Sequence, residues 1–595
     1  MRLFLQSFFA FSIILGSFSA FSQKEDWQTF YEKSGFKATP RYDETIEFCK
    51  RLDKASDWVY FTSFGKSPEG RDLPLLIIDR DGMKKPLEVK QTEKIIVLIQ
   101  AGIHAGEIDG KDAGLVLFRD MVIDKKYSEL LKNVTILFIP ILNVDGHEHF
   151  GKFNRINQNG PEEMGFRTNA TNLNLNRDYL KADAPEIQAW HSLFNEWLPD
   201  FFIDIHSTDG ADYQYVLTYH LEIFGNMKES LTDWQKNVFL KYVSDKMEKD
   251  KIPIFPYVIF RKWHDPRSGL ISWVGSPVLS HGYTALQNRP GLLIENHMLK
   301  DYKTRVDATI SMLKYTLEVL NKESRNLKNL LREADFYVGS KSFMQSKYIL
   351  KWTPSSDSTI VSFKGFDYEV VKSDLSGGDW FRYSNKPKEF KIPYFNRQLP
   401  SVMIDLPAAY IIPPQWQEVI KRLEILGVRM DYLSQSAKIK VELYRLNNPE
   451  FSNKPYEGRQ TVTRFDLSSS TEVVTFPKGS AIIRLRQPSA QVAIHALEPQ
   501  GPSSYVFWGF FNSIFEQKEY SESYVMEKLA REMLAKDENL KKEFQEKMKD
   551  EKFAGNSFEI LNWFYSKSPY WDNRIGLYPV GRIMDEEILT GLPFK

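Results

Sequence analysis

Through the first half of the chain, short and wholly apolar runs alternate with longer stretches whose apolar positions recur at helical spacing. "LPLLIID" (Leu73–Asp79), "KIIVLIQA" (Lys94–Ala101), "VTILFIPIL" (Val134–Leu142), "FFIDIH" (Phe201–His206) and "GLLIEN" (Gly291–Asn296) are the apolar runs. Continuous rather than alternating apolarity predicts strands covered on both faces. "GKDAGLVLFRDMVIDKKYSELLKN" and "APEIQAWHSLFNEWL" between them read as amphipathic helices, the second with Pro185 near its start. Strands alternating with helices predict an α/β layer architecture.

The pattern then changes. "TRVDATISMLKYTLEVLNKESRNLKNLLREAD" is a long helical stretch, and after it come alternating runs such as "KIKVELYRL" and "SAIIRLRQ", broken by Pro, Gly, Ser and Asn. These predict a β-rich accessory domain over 326–510. Residues 511–595 return to helix, and the charge run in "SYVMEKLAREMLAKDENLKKEFQEKMKDEK" reads as a solvated face. An α/β domain over 23–325 precedes both. At 595 residues the chain is long enough for two or three cores.

Residues 1–22 stand apart. Arg2, an apolar stretch, and small residues at Ala20 and Ser22 have the layout of a secretory signal peptide cleaved after Ser22. No later segment reads as membrane-spanning. The expectation is an exported protein, periplasmic or extracellular, with no membrane span after cleavage. Cys49 is the only cysteine, which excludes an intramolecular disulfide and a cysteine-rich zinc site. Lys+Arg and Asp+Glu both number 78, so no basic excess points to nucleic acid.

Several predicted strands end in polar residues, and in α/β sheets ligands bind in the crevice at strand ends. His104 and Glu107 lie in "HAGE", just after one strand; His206 ends another; Glu295 lies at the end of a third. Two imidazoles and a carboxylate suffice for a three-ligand zinc site with an open position. Glu295 is the available carboxylate base, and Arg167 a candidate cation for a developing oxyanion. Arg177 can grip a substrate carboxylate through its bidentate fork. Each feature alone is common in proteins without such chemistry. Their combination in one order, mostly at strand ends, is the signal.

That ordered set resembles the zinc metallocarboxypeptidases, the carboxypeptidase A-like family, from about Thr39 to Arg325. "GKSPEGRDLPLLIID", "AGIHAGE", "PILNVDG", "GFRTNATNLNLNRDY", "FIDIHS" and "LLIENH" carry the likeness, with Val144 where the family has proline. The resemblance implies a mixed central sheet flanked by helices and one Zn²⁺ per chain, held by His104, Glu107 and His206. It implies Glu295 as general base, Arg167 as the carbonyl-polarising arginine with Arg155 as runner-up, and Asn176 and Arg177 as the grip on the substrate's C-terminal carboxylate. Tyr283 is the nearest candidate for the substrate-capping tyrosine. One departure concerns Asn174, which stands where the family usually has an acid hydrogen-bonded to a zinc histidine. An amide can still accept that bond, without charge. The implied activity is removal of C-terminal residues from peptides with a free carboxylate. Related groups of the same fold act on peptidoglycan stem peptides or N-acyl amino acids, and a zinc-less binding protein for peptides or glycans is the non-enzymatic alternative.

Overall fold

In a computed structural model that describes residues 26–595, the five apolar runs form the middle of one eight-stranded sheet. Its strands are β1 (Val59–Lys66), β2 (Asp72–Ile78), β3 (Ile95–Ala101), β4 (Val134–Ile139), β5 (Phe201–Thr208), β6 (Leu217–Leu221), β7 (Ile254–Pro256) and β9 (Gly291–His297). The strand β8 (Leu270–Ile271) belongs elsewhere. The order is β1-β2-β4-β3-β5-β9-β6-β7. Strands β4, β3, β5 and β9 run parallel, whereas β1–β2, β2–β4 and β6–β9 pair antiparallel, so the sheet is mixed. Every residue of β3, β4, β5 and β9 is buried, as expected where helices cover both faces.

Those helices include Asp109–Val122, Pro185–Trp197 and Tyr302–Val338. Pro185 occupies the first turn of its helix, where its missing N–H costs no bond. Asp301 caps the long helix by accepting from the Thr304 N–H at 3.0 Å. That helix runs unbroken through position 325 into the second half of the chain.

Beyond it come β10 (Lys347–Pro354), β11 (Thr359–Lys372), β12 (Asp379–Phe395) and β13 (Gln398–Asp405). The hairpin β11–β12 adds β8 as a parallel third strand, through Tyr394 opposite Leu270. A six-stranded sheet follows, built from β14 (Ala409–Ile412), β15 (Asp431–Tyr432), β16 (Ala437–Phe451), β17 (Val462–Phe476), β18 (Ala481–Arg484) and β19 (Gly581–Ile583). The C-terminal region is mainly helical, including Ser523–Lys536 and Glu538–Lys547, yet it supplies β19, between β14 and β16. One hydrophobic core joins the two halves: Leu98, Trp190 and Tyr283 cluster with Ile420, Ile494 and Phe511.

No described helix is long and apolar enough to cross a membrane. The expected signal peptide and its cleavage point lie outside the described residues.

Candidate active site

At the C-terminal ends of β3, β5 and β9 lies a cavity of ≈ 440 Å³. His104, Glu107, Arg155, Arg167, Asn176, Arg177, His206 and Glu295 all line it. Strand β3 delivers the first two through a tight turn beginning at Gly102, whose φ of +65° suits glycine. Gly106 is constrained by packing. A Cβ there would stand 2.7 Å from the Gly165 carbonyl oxygen and 2.8 Å from Arg155 Cγ. The bare backbone thus lets the loop and Arg155 close on one another.

Three atoms form a nearly equilateral triangle: Glu107 Oε2 is 3.2 Å from His104 Nδ1 and 3.0 Å from His206 Nδ1, and the two nitrogens are 3.2 Å apart. Donors held at 2.0–2.2 Å around a tetrahedral ion are about 3.3–3.6 Å from each other. These residues therefore fit a divalent cation such as Zn²⁺ with little movement. All three are buried. The remaining ring nitrogens are anchored, His104 Nε2 donating to Asn174 Oδ1 at 3.0 Å and His206 Nε2 to Asp204 Oδ2 at 2.9 Å. Asn174 Oδ1 also accepts from the Asn176 N–H at 3.1 Å, which ties the histidine to the turn bearing Asn176 and Arg177. The N–H of Asn174 is in turn held by Glu457 Oε2 at 2.9 Å, from the second half of the chain.

The cluster is electrostatically uneven. Burial holds His104 down to about 4, in the neutral form a metal needs. Burial opposes the charge on His206 too, but the Asp204 carboxylate and Glu107 outweigh it and push that ring well above the usual histidine range. Glu107 is held well below the ordinary carboxylate range; burial works against this, and His104 and Arg155 prevail.

Glu295 stands directly opposite His206 across the parallel pair β5–β9. Burial pushes its carboxyl up to about 8, helped by Glu107 and Asp204. A carboxyl beside a cation-binding triangle, with its proton held near neutrality, suits proton transfer. Arg155 Nη2 and Arg167 Nη1 both donate to Glu107 Oε1, at 2.7 and 3.2 Å. Arg155 is largely buried and Arg167 is 42% exposed at its side chain. Arg177 lines the same cavity, its Nη1 donating to the Asn176 carbonyl at 2.7 Å, and Asn176 Oδ1 accepts from the Ser280 N–H at 3.0 Å.

Tyr283 is not brought to the cavity, which corrects the expectation that it caps substrate. It sits inside the helix Ser280–Leu286 among Tyr179, Trp190 and His191, and its hydroxyl donates to the Leu426 carbonyl at 3.2 Å. Tyr257 is the tyrosine that lines the cavity, with its hydroxyl 3.1 Å from Thr208 Oγ1. Asp204, which holds His206, is not among the residues that the sequence motifs assign to the site. A signal was present: two residues before His206 in a strand, it shares that residue's face. Trp273 and His281, further lining residues, come from loop and helix segments whose position no sequence periodicity reports.

The hairpin β11–β12 braces one wall. Phe363, Phe390 and Ile392 pack with Tyr213, Tyr215, Phe260 and Leu270, on the segments that lead into and out of Tyr257.

Residues 45–249 match the family model described as zinc carboxypeptidase. The stretch contains His104, Glu107 and His206 and stops short of Glu295. Carboxypeptidase 2 of Trichophyton rubrum is 25% identical over 497 residues, covering 79% of this chain and 84% of that protein. Carboxypeptidase 2 of Trichophyton tonsurans is 24% identical over 501 residues, with the same coverage. These alignments reach well past residue 249, so the likeness takes in much of the second half too. Among solved structures, the carboxypeptidase A of Helicoverpa armigera aligns at 18% identity over 49% of this chain and 75% of that one, with a TM-score of 0.35.

Proposed function

We propose that the protein, whose residues 45–249 match the zinc carboxypeptidase family model, is an exported exopeptidase that hydrolyses the last peptide bond of substrates with a free C-terminal carboxylate. The observation that carries this reading is the triangle of His104 Nδ1, Glu107 Oε2 and His206 Nδ1 in one cavity with Glu295 and three arginines. Bound there, one zinc ion would supply the Lewis acid that polarises the scissile carbonyl and acidifies water.

The rest follows from the chain's own groups. Arg177 and Asn176 register the substrate by its terminal carboxylate, which limits cleavage to one residue at a time. Arg167 meets the negative charge that develops on the carbonyl oxygen. Arg155 stands ready for the same role, but its shorter bond to Glu107 and deeper burial than Arg167 favour assigning it to holding that ligand. Glu295 takes the proton from the attacking water and passes it to the departing amine. A raised carboxyl pKa serves the second step, since the protonated form is then accessible near neutral pH. The leader pattern of residues 1–22 supports export.

The test is a peptide panel read by mass, in which each sequence is offered with a free and with an amidated C-terminus, with and without chelator. The expected outcome is stepwise loss of C-terminal residues from free peptides, abolished by chelation. Arg177→Ala should lower turnover of free peptides by about 10- to 100-fold, the worth of a charge-assisted hydrogen bond, and leave free and amidated peptides alike. Equal cleavage of both forms by the unaltered protein would rule out recognition of the terminal carboxylate. Muropeptides and N-acyl amino acids belong in the same panel, since their substrates also present a free carboxylate.

A further inference from the structure

A second group of the same composition lies beside the first cavity. His220 is on β6, Glu222 follows that strand, and His281 is in the first turn of the helix Ser280–Leu286. All three are buried. Glu222 Oε1 lies 2.7 Å from His220 Nε2 and 3.9 Å from His281 Nε2. One potential donor atom from each residue falls within 4.8 Å of the others. The two imidazole centroids are 4.9 Å apart, the same separation as those of His104 and His206.

Two observations indicate that the group is built for an ion and is not simply packed. His281, 1% exposed, has no hydrogen-bond partner on either ring nitrogen. Leaving a buried polar atom unmatched costs stability, so a native site that does so calls for a missing partner. The acid is the second observation. Among the described residues, Glu222 is ion-paired only with these two histidines, so no lysine or arginine answers its buried charge. The backbone has made room. Gly275 donates its N–H to Glu222 Oε1 at 2.6 Å, and a Cβ there would stand 2.3 Å from that oxygen and 3.0 Å from His281 Nε2. An ion also has ways in. His281 faces the active-site cavity, Glu222 a second cavity and His220 a third, and Trp273 walls all three.

We propose that His220, Glu222 and His281 form a second divalent-metal site, suited by its two imidazoles and one carboxylate to Zn²⁺. The ion would pin β6, the Trp273–Gly275 segment and the Ser280 helix to one another, fixing the wall of the active-site cavity from behind. Binding asks His281 to close on Glu222, because 3.9 Å exceeds the spacing around a tetrahedral ion.

The experiment is zinc stoichiometry of the full chain, by elemental analysis after equilibration with zinc, beside calorimetric titration of metal-free protein. Two equivalents per chain and two resolvable binding events are expected. His281→Gln and Glu222→Gln should each leave one equivalent, as should His206→Gln, and pairing His206→Gln with His281→Gln should leave none. A single binding event in the unaltered protein, with no zinc left in His206→Gln, would overturn the second site while leaving the first intact. Loss of one equivalent in His281→Gln but none in His206→Gln would instead uphold this site and sink the first. If a variant fails to fold, two binding events in the unaltered protein still uphold the proposal, and one event overturns it as a second site.

Discussion

The two His–Glu–His clusters differ less in composition than in what surrounds them. In the first, donor atoms stand 3.0–3.2 Å apart and both imidazoles are anchored from behind, by Asn174 and Asp204. In the second, the Glu222 carboxylate lies 2.7 Å from one imidazole nitrogen and 3.9 Å from the other, and the farther imidazole has no hydrogen-bond partner. The first places all three of its side chains in one cavity with the Glu295 carboxyl and three arginines, whereas of the second cluster His281 alone reaches that cavity. The comparison separates a site's ligands from its chemistry. Ligands make a place for an ion; an adjacent base and cations aimed at the same space make that place reactive.

The variant expected to have the largest effect removes the proposed base. Glu295→Gln should lower kcat by about 10²- to 10⁴-fold, the usual contribution of a positioned acid–base group, with zinc content unchanged. Near-normal turnover with zinc retained would mean that the first cluster owes its activity to something other than this carboxyl. Next comes the anchoring. Asp204→Asn should weaken zinc binding at the first site by about 10- to 100-fold, measured by competition with a chelator. The second site, which lacks such a partner on His281, should keep its affinity in that variant. Affinity unchanged at both sites would show that the anchored and unanchored clusters are equivalent in this respect.

A smaller effect concerns pH and metal-free protein. Burial raises the Glu295 carboxyl from 4.5 to about 8, so the folded state keeps a proton that the unfolded chain has released. The resulting stability is complete below pH 4.5 and is lost as pH rises through about 8. The melting temperature of chelator-treated protein should therefore fall between pH 5 and 8 more steeply than that of Glu295→Gln. Parallel curves for the two proteins would show that this carboxyl titrates normally. Zinc at the first cluster, by adding positive charge beside Glu295, should flatten the difference.

Sequence pattern was a good guide where burial is complete. The five apolar runs became β2, β3, β4, β5 and β9, and the polar residues at the ends of β5 and β9, with the loop after β3, meet in one cavity. Strands at the margins escaped notice. The strand β1 is partly exposed along most of its length, and β6 and β7 are short, so none presents a long continuous apolar run. Tyr283 was misplaced because spacing from Glu295 cannot say which side of a short helix faces the cavity. The second cluster was invisible for a related reason: its residues come from a strand, the turn after it and a helix some sixty positions on, and no short motif spans them.

The bond from Glu457 to the Asn174 N–H, and the core shared by Trp190 and Phe511, bear on how the molecule would come apart. A catalytic unit tethered by a linker could be clipped free and go on working. Here the boundary near position 325 runs through the middle of a helix, and the turn that carries Asn176 and Arg177 is fastened to the far half. Proteolysis in the second half should therefore end activity rather than release it, and both halves should melt in one transition.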